Sequence, residues 1–178
     1  MALRGTGDRY GNLAIALHWI AALAILVQLG LGFAVAGAAD GLHRAALLRV
    51  HAPLGVLVLL LTAIRVLWWL FDRRPGAPAG LPRWQLRAAG FVHRLLLLVT
   101  ALAAVSGMGL LVRSGANKVI FGGSPGPLPD FTPFFQLYVH RTAVILLVAL
   151  LCLHLGAALH HHFFRHNRLF ARIGIGAP

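Results

Sequence analysis

The chain has 178 residues, 59% hydrophobic and only 11% charged, which excludes an ordinary soluble domain. Sixteen Lys and Arg against four acidic residues (Asp8, Asp40, Asp72 and Asp130) give a formal charge of +12. In a soluble chain that excess would point to nucleic acid. Here the cations flank long apolar runs, which is the pattern of a membrane protein.

Four runs are long enough to cross a lipid bilayer: about 12–36, 46–71, 86–112 and 135–164. The first is too long for the apolar stretch of a cleaved leader and reads as a retained span. Gly37–Gly41 closes it. Arg73-Arg74-Pro75-Gly76-Ala77-Pro78 and Leu81-Pro82 separate the second and third, and the breaker-rich stretch Gly122–Pro133 separates the third and fourth. Arg165–Pro178 is predicted to be a short basic tail. Eleven cations fall on one side: Arg4, Arg9, Arg65, Arg73, Arg74, Arg83, Arg87, Arg94, Arg165, Arg168 and Arg172. Five fall on the other: Arg44, Arg49, Arg113, Lys118 and Arg141. That bias predicts both termini in the cytoplasm and an antiparallel bundle of four transmembrane helices. Gly30, Gly32, Gly55, Gly107 and Gly109 lie inside spans, either for close helix packing or to admit a flat cofactor. Cys152, the one cysteine, sits in the fourth span and reads as a small apolar residue.

The histidines carry the chemistry. His18, His51, His93, His140 and His154 lie within or just inside the spans, where an ionisable group is costly and needs a purpose. His140 and His154 are fourteen residues apart, close to four helical turns, so they share a face with about 21 Å between them. Depth pairs His140 with His51 near the outer side, and His154 with His18 near the inner side. His93 stands at the level of His18, so depth leaves the inner partner open between them. Two facing imidazoles with no carboxylate or thiolate at their level suit bis-histidine ligation of haem iron. Zinc wants three or four protein ligands, and copper usually adds Cys or Met. The Cys-x-x-Cys-His motif of covalent haem attachment is absent. Two b-type haems, one toward each membrane face, are therefore predicted. Arg65 either snorkels to the interface or meets a propionate of the inner haem; Trp68 and Trp69 beside it read as interface aromatics.

In order and spacing these residues resemble the bacterial cytochrome b561 family of four-helix, di-haem membrane cytochromes. The matching elements are His18-Trp19, Arg49-Val50-His51 with Gly55, Arg65-Val66-Leu67-Trp68, His93-Arg94, His140, and the run from His154 through His160-His161-His162. Asn167-Arg168-Leu169-Phe170-Ala171-Arg172 in the tail also fits. The resemblance implies His18 with His154 for the inner haem and His51 with His140 for the outer. It implies a quinone site near His161, two turns beyond His154, with Trp19 and Arg94 close by in depth. Cytochrome b subunits of hydrogenases and formate dehydrogenases, which dock on a protein redox partner, share the pattern. With no added domain, the chain is more similar to the stand-alone branch, some of whose members are superoxide oxidases. Such a member passes electrons from periplasmic superoxide to ubiquinone across the inner membrane. Superoxide is an anion, and Arg44, Arg49, Lys118 and Arg141 are placed to steer it; neutralising propionates or lipid phosphates is the other use for them.

Two other classes fit less well. A transporter or channel would want acidic residues in the spans and an internal repeat, and neither is present. A haem-free assembly subunit leaves the histidine ladder without a purpose.

Overall fold

The computed structural model describes residues 3–7, 9–73, 75–77, 80–123, 126–165 and 169–176. Asp8, Arg74, Pro78, Ser124, Pro125, Asn167 and Arg168, which entered the reading above, lie outside the described residues. Six helices follow in order: α1 (Asn12–Gly37), α2 (Gly41–Phe71), α3 (Arg83–Arg113), α4 (Ala116–Ile120), α5 (Phe135–Phe163) and α6 (Leu169–Arg172). No strand occurs among the described residues. Four helices, α1, α2, α3 and α5, are long and apolar enough to cross a membrane.

Two helix starts and one added helix differ from the hydropathy reading, each for a local reason. α2 starts at Gly41, not 46, because the Asp40 carboxylate accepts the His43 N–H at 2.7 Å and caps the first turn. The first connection is thereby reduced to residues 38–40, and Arg44 joins Arg49 on the helix. α3 starts at Arg83 directly after Pro82, whose fixed φ suits a helix entry. Within the third connection, Gly115 turns left-handed at φ 75° and launches the short α4, which apolar runs alone do not mark.

α1 packs on α2, α2 on α3, and α3 along α5, with no comparable packing of α1 on α5. The buried residues form two small layers. Val99 and Ala103 of α3 meet Ala143 and Leu147 of α5, with Ile25 and Leu29 of α1 against them. Leu17 and Ala21 of α1 meet Leu61 of α2. The buried hydroxyls of Thr62 and Ser106 donate back to the carbonyls of Val58 (2.7 Å) and Leu102 (2.6 Å), so neither is left unpaired in an apolar setting.

The described part of the tail, 169–176, is tied to the bundle. Arg172 donates to the Gly76 carbonyl at 2.8 Å, and the Arg172 carbonyl accepts the Tyr10 N–H at 3.3 Å. Gly76 N–H in turn donates to the Gly7 carbonyl at 2.8 Å, and Gly5 N–H to the Asp72 carboxylate at 2.9 Å. The N-terminal segment, the second connection and the tail are thus tied together at the end of the bundle that carries both termini.

Candidate functional site

α5 supplies one wall of the site. Its His140 and His154 project from the same face, about 21 Å apart along the helix. His51 of α2 faces His140 with ring centroids 6.3 Å apart, and His18 of α1 faces His154 at 6.5 Å. His93 of α3 lies closer to His154, at 5.1 Å and edge-on at 71°.

These separations have different chemical meanings. Two imidazoles that face each other across one metal, each bound at ~2 Å through a nitrogen ~1 Å from its ring centre, put their centroids about 6–6.5 Å apart. The His51–His140 and His18–His154 pairs have that spacing. At 5.1 Å, the His93 and His154 rings are too close to face each other across an ion. Among the described residues no group of three or more His, Cys, Asp or Glu is placed to hold an ion alone. An imidazole pair therefore fits a metal that arrives with its other ligands attached, as iron does in a porphyrin.

The surroundings orient the rings. The Nδ1 of His140 lies 2.8 Å from the Ala103 carbonyl on α3. A carbonyl can only accept, so Nδ1 carries the proton and Nε2 presents its lone pair. Gly107, one turn beyond Ala103, makes the approach possible: a Cβ there would sit 3.0 Å from His140 Cε1 and 3.1 Å from its Nδ1. Gly32 on α1 does the same for His51, where a Cβ would stand 3.2 Å from Cε1. Two of the five span glycines therefore make room for imidazole rings; Gly55 makes room for Gln28, whose Nε2 would lie 3.0 Å from a Cβ there.

Gln28 is the residue that the sequence reading missed. Its Nε2 donates to the His51 carbonyl at 3.0 Å and lies 3.2 Å from His51 Nε2. The available signal was a lone glutamine inside the first span, since a buried amide in an apolar helix wants a partner. Arg65 reaches the other pair, with Nη2 3.4 Å from His18 Nδ1, a long contact. Trp19 packs edge-on against His18 at 5.2 Å, and its indole N–H donates to the Ile173 carbonyl of the tail at 3.0 Å.

The remaining predicted residues lie at the two ends of the bundle. His161 is half-buried near the end of α5, 5.8 Å from His160, and Arg94 is exposed beside His93. At the opposite end, Arg44 donates to the Ala38 carbonyl at 2.6 Å, and Arg49 through Nε to the Ile120 carbonyl of α4 at 3.1 Å. Lys118 and Arg141 are exposed there. Asp130 shares that end; the N–H and then the hydroxyl of Thr132 bond its carboxylate and hold its pKa below the usual value.

A protein-family model described as prokaryotic cytochrome b561 matches residues 9–176. Cytochrome b561 homolog 2 of Escherichia coli K12 is 29% identical over 184 aligned positions, covering 97% of this chain and 95% of that protein. Cytochrome b561 homolog 1 of the same organism is 24% identical over 172 positions, covering 93% of this chain and 97% of its own.

Proposed function

The chain belongs to the prokaryotic cytochrome b561 family, and from that premise we propose that it is a di-haem oxidoreductase carrying electrons from periplasmic superoxide to ubiquinone. Membership makes it a membrane electron-transfer protein of a family that binds b-type haem. The observation that carries the finer reading is the repeated imidazole pair, 6.3 Å apart at one level and 6.5 Å at the other, with α5 common to both. Both termini face the cytoplasm of a bacterial inner membrane in this reading, in line with the cation bias.

His51 and His140 hold the outer haem, and His18 and His154 the inner. Haem iron held there supplies one-electron chemistry. His18 is preferred over His93 because its 6.5 Å spacing to His154 suits two imidazoles facing each other across an iron. Ala143 and Leu147 lie on α5 between the two levels, packed on Val99 and Ala103, and exclude water from the path. Two superoxide ions each give up one electron and leave as dioxygen. One ubiquinone takes the two electrons and two protons and leaves as ubiquinol. Arg44, Arg49, Lys118 and Arg141 raise the local concentration of the anion at the outer mouth. At the inner end His161 and Arg94 offer donors to a quinone carbonyl. Trp19, with its N–H engaged by the tail, offers a ring face, and Arg65 is within reach of an inner propionate.

Stopped-flow mixing of the purified holoprotein with superoxide and ubiquinone tests this reading. The prediction is haem reduction at about 10⁸–10⁹ M⁻¹s⁻¹ with ubiquinol as product. His161→Ala should cut ubiquinol formation while leaving the haem spectrum intact. Reduction many orders slower would contradict superoxide as donor and favour a docked protein donor of the hydrogenase or dehydrogenase type.

A further inference from the structure

The two rings of the outer pair are not equally provided for. His140 has its Nδ1 proton on the Ala103 carbonyl at 2.8 Å, leaving Nε2 to bind a metal. His51 has no such arrangement: its Nδ1 is buried without a partner. Beside it, the Oε1 of Gln28 is a buried acceptor that also lacks a partner. The amide orientation is not in doubt, because the end facing the His51 carbonyl at 3.0 Å must be the N–H donor. The same NH₂ lies 3.2 Å from His51 Nε2, so that nitrogen acts as acceptor and the ring proton sits on Nδ1.

That tautomer is the one that binds metal through Nε2, but the lone pair is engaged by Gln28. A histidine that ligates a metal nearly always donates its other N–H to an outer acceptor, which fixes the ring and enriches its donor nitrogen. Iron at Nε2 would release the Gln28 N–H from that nitrogen. It would also leave a buried ring donor and a buried amide acceptor on neighbouring side chains. One hydrogen bond removes both orphans.

We infer that Gln28 is a positioning residue of the outer haem site: its side-chain carbonyl accepts the Nδ1 proton of His51 when His51 binds iron. Gln28 then does for His51 what the Ala103 backbone does for His140. Gly55 is part of the device, since a Cβ there would crowd the amide at 3.0 Å. The inference rests on the reading of His51 and His140 as haem ligands.

The test uses holoprotein carrying Gln28→Met or Gln28→Glu, with His51→Ala identifying the outer-haem signals. Met keeps the length and loses the acceptor. Outer haem should then be retained about tenfold less tightly, and its potential should move up because a poorer donor stabilises ferric iron less. Glu accepts the proton more strongly, so the potential should move down. Inner-haem signals should stay unchanged in both, which also reports that the bundle has folded. If Gln28→Glu fails to insert, the Met variant alone still decides. Two haems held as in wild type with an unmoved outer potential in Gln28→Met, or shifts of the same sign in both variants, would overturn the inference. A wild-type chain without the outer haem would instead overturn the reading beneath it.

Discussion

Gly107 sets the closest tolerance at the His140 ring. A methyl group added there would meet imidazole carbon and nitrogen at 3.0 and 3.1 Å, and the ring is already tied to the same helix through the Ala103 carbonyl. Overpacking of this kind costs about 1–3 kcal/mol. Gly107→Ala is therefore predicted to lose much of the outer haem and keep the inner one, read from the haem content and spectrum of the purified protein. Full retention of both would mean that the ring can move aside, and that Ala103 does not fix it. The histidines themselves were legible in the sequence, because a 3.6-residue period and a bilayer depth place them without knowledge of packing. Gln28 was not legible. Its partner depends on the rotation of α1 against α2, and no period along one helix records that.

α2 shows how a single polar contact sets the length of an element. Asp40 closes the first turn through the His43 N–H, and Arg44 then folds back to the Ala38 carbonyl. Asp40→Ala removes the cap at about 1 kcal/mol. The prediction is a thermal midpoint lowered by a few degrees with both haems present, since His51 lies eleven residues further on. Loss of haem would show that the first turns of α2 hold the site, not merely lead into it. The same cap explains why apolar runs start α2 five residues late: hydropathy records the membrane-buried part of a helix and not its polar extension. The tail escaped for a related reason. Its partners, Tyr10, Trp19 and Gly76, are far away in sequence and bond mostly through backbone groups that carry no residue signature.

At the scale of the molecule, both the four-helix order and the placement of His140 and His154 on one face of α5 could be read from composition and spacing. The lateral spacing of His18 and His93 from His154, 6.5 and 5.1 Å, could not, because both stand at one depth. Charge acts at this scale too. If the cations at the end opposite the termini steer superoxide, its reaction rate should fall as ionic strength rises past a Debye length of about 10 Å near 0.1 M salt. Lys118→Gln and Arg141→Gln, both exposed positions, should each lower the low-salt rate about two- to fivefold and flatten its salt dependence. A rate indifferent to salt would assign those side chains to lipid phosphates instead.

The claim of two bis-histidine haems is tested most directly by counting haem per chain in purified wild type, His18→Ala, His93→Ala and His154→Ala. Two haems are expected in wild type and in His93→Ala, and a single, outer haem in His18→Ala and His154→Ala. A colourless wild type, or a His93→Ala that loses the inner haem while His18→Ala keeps it, would contradict it.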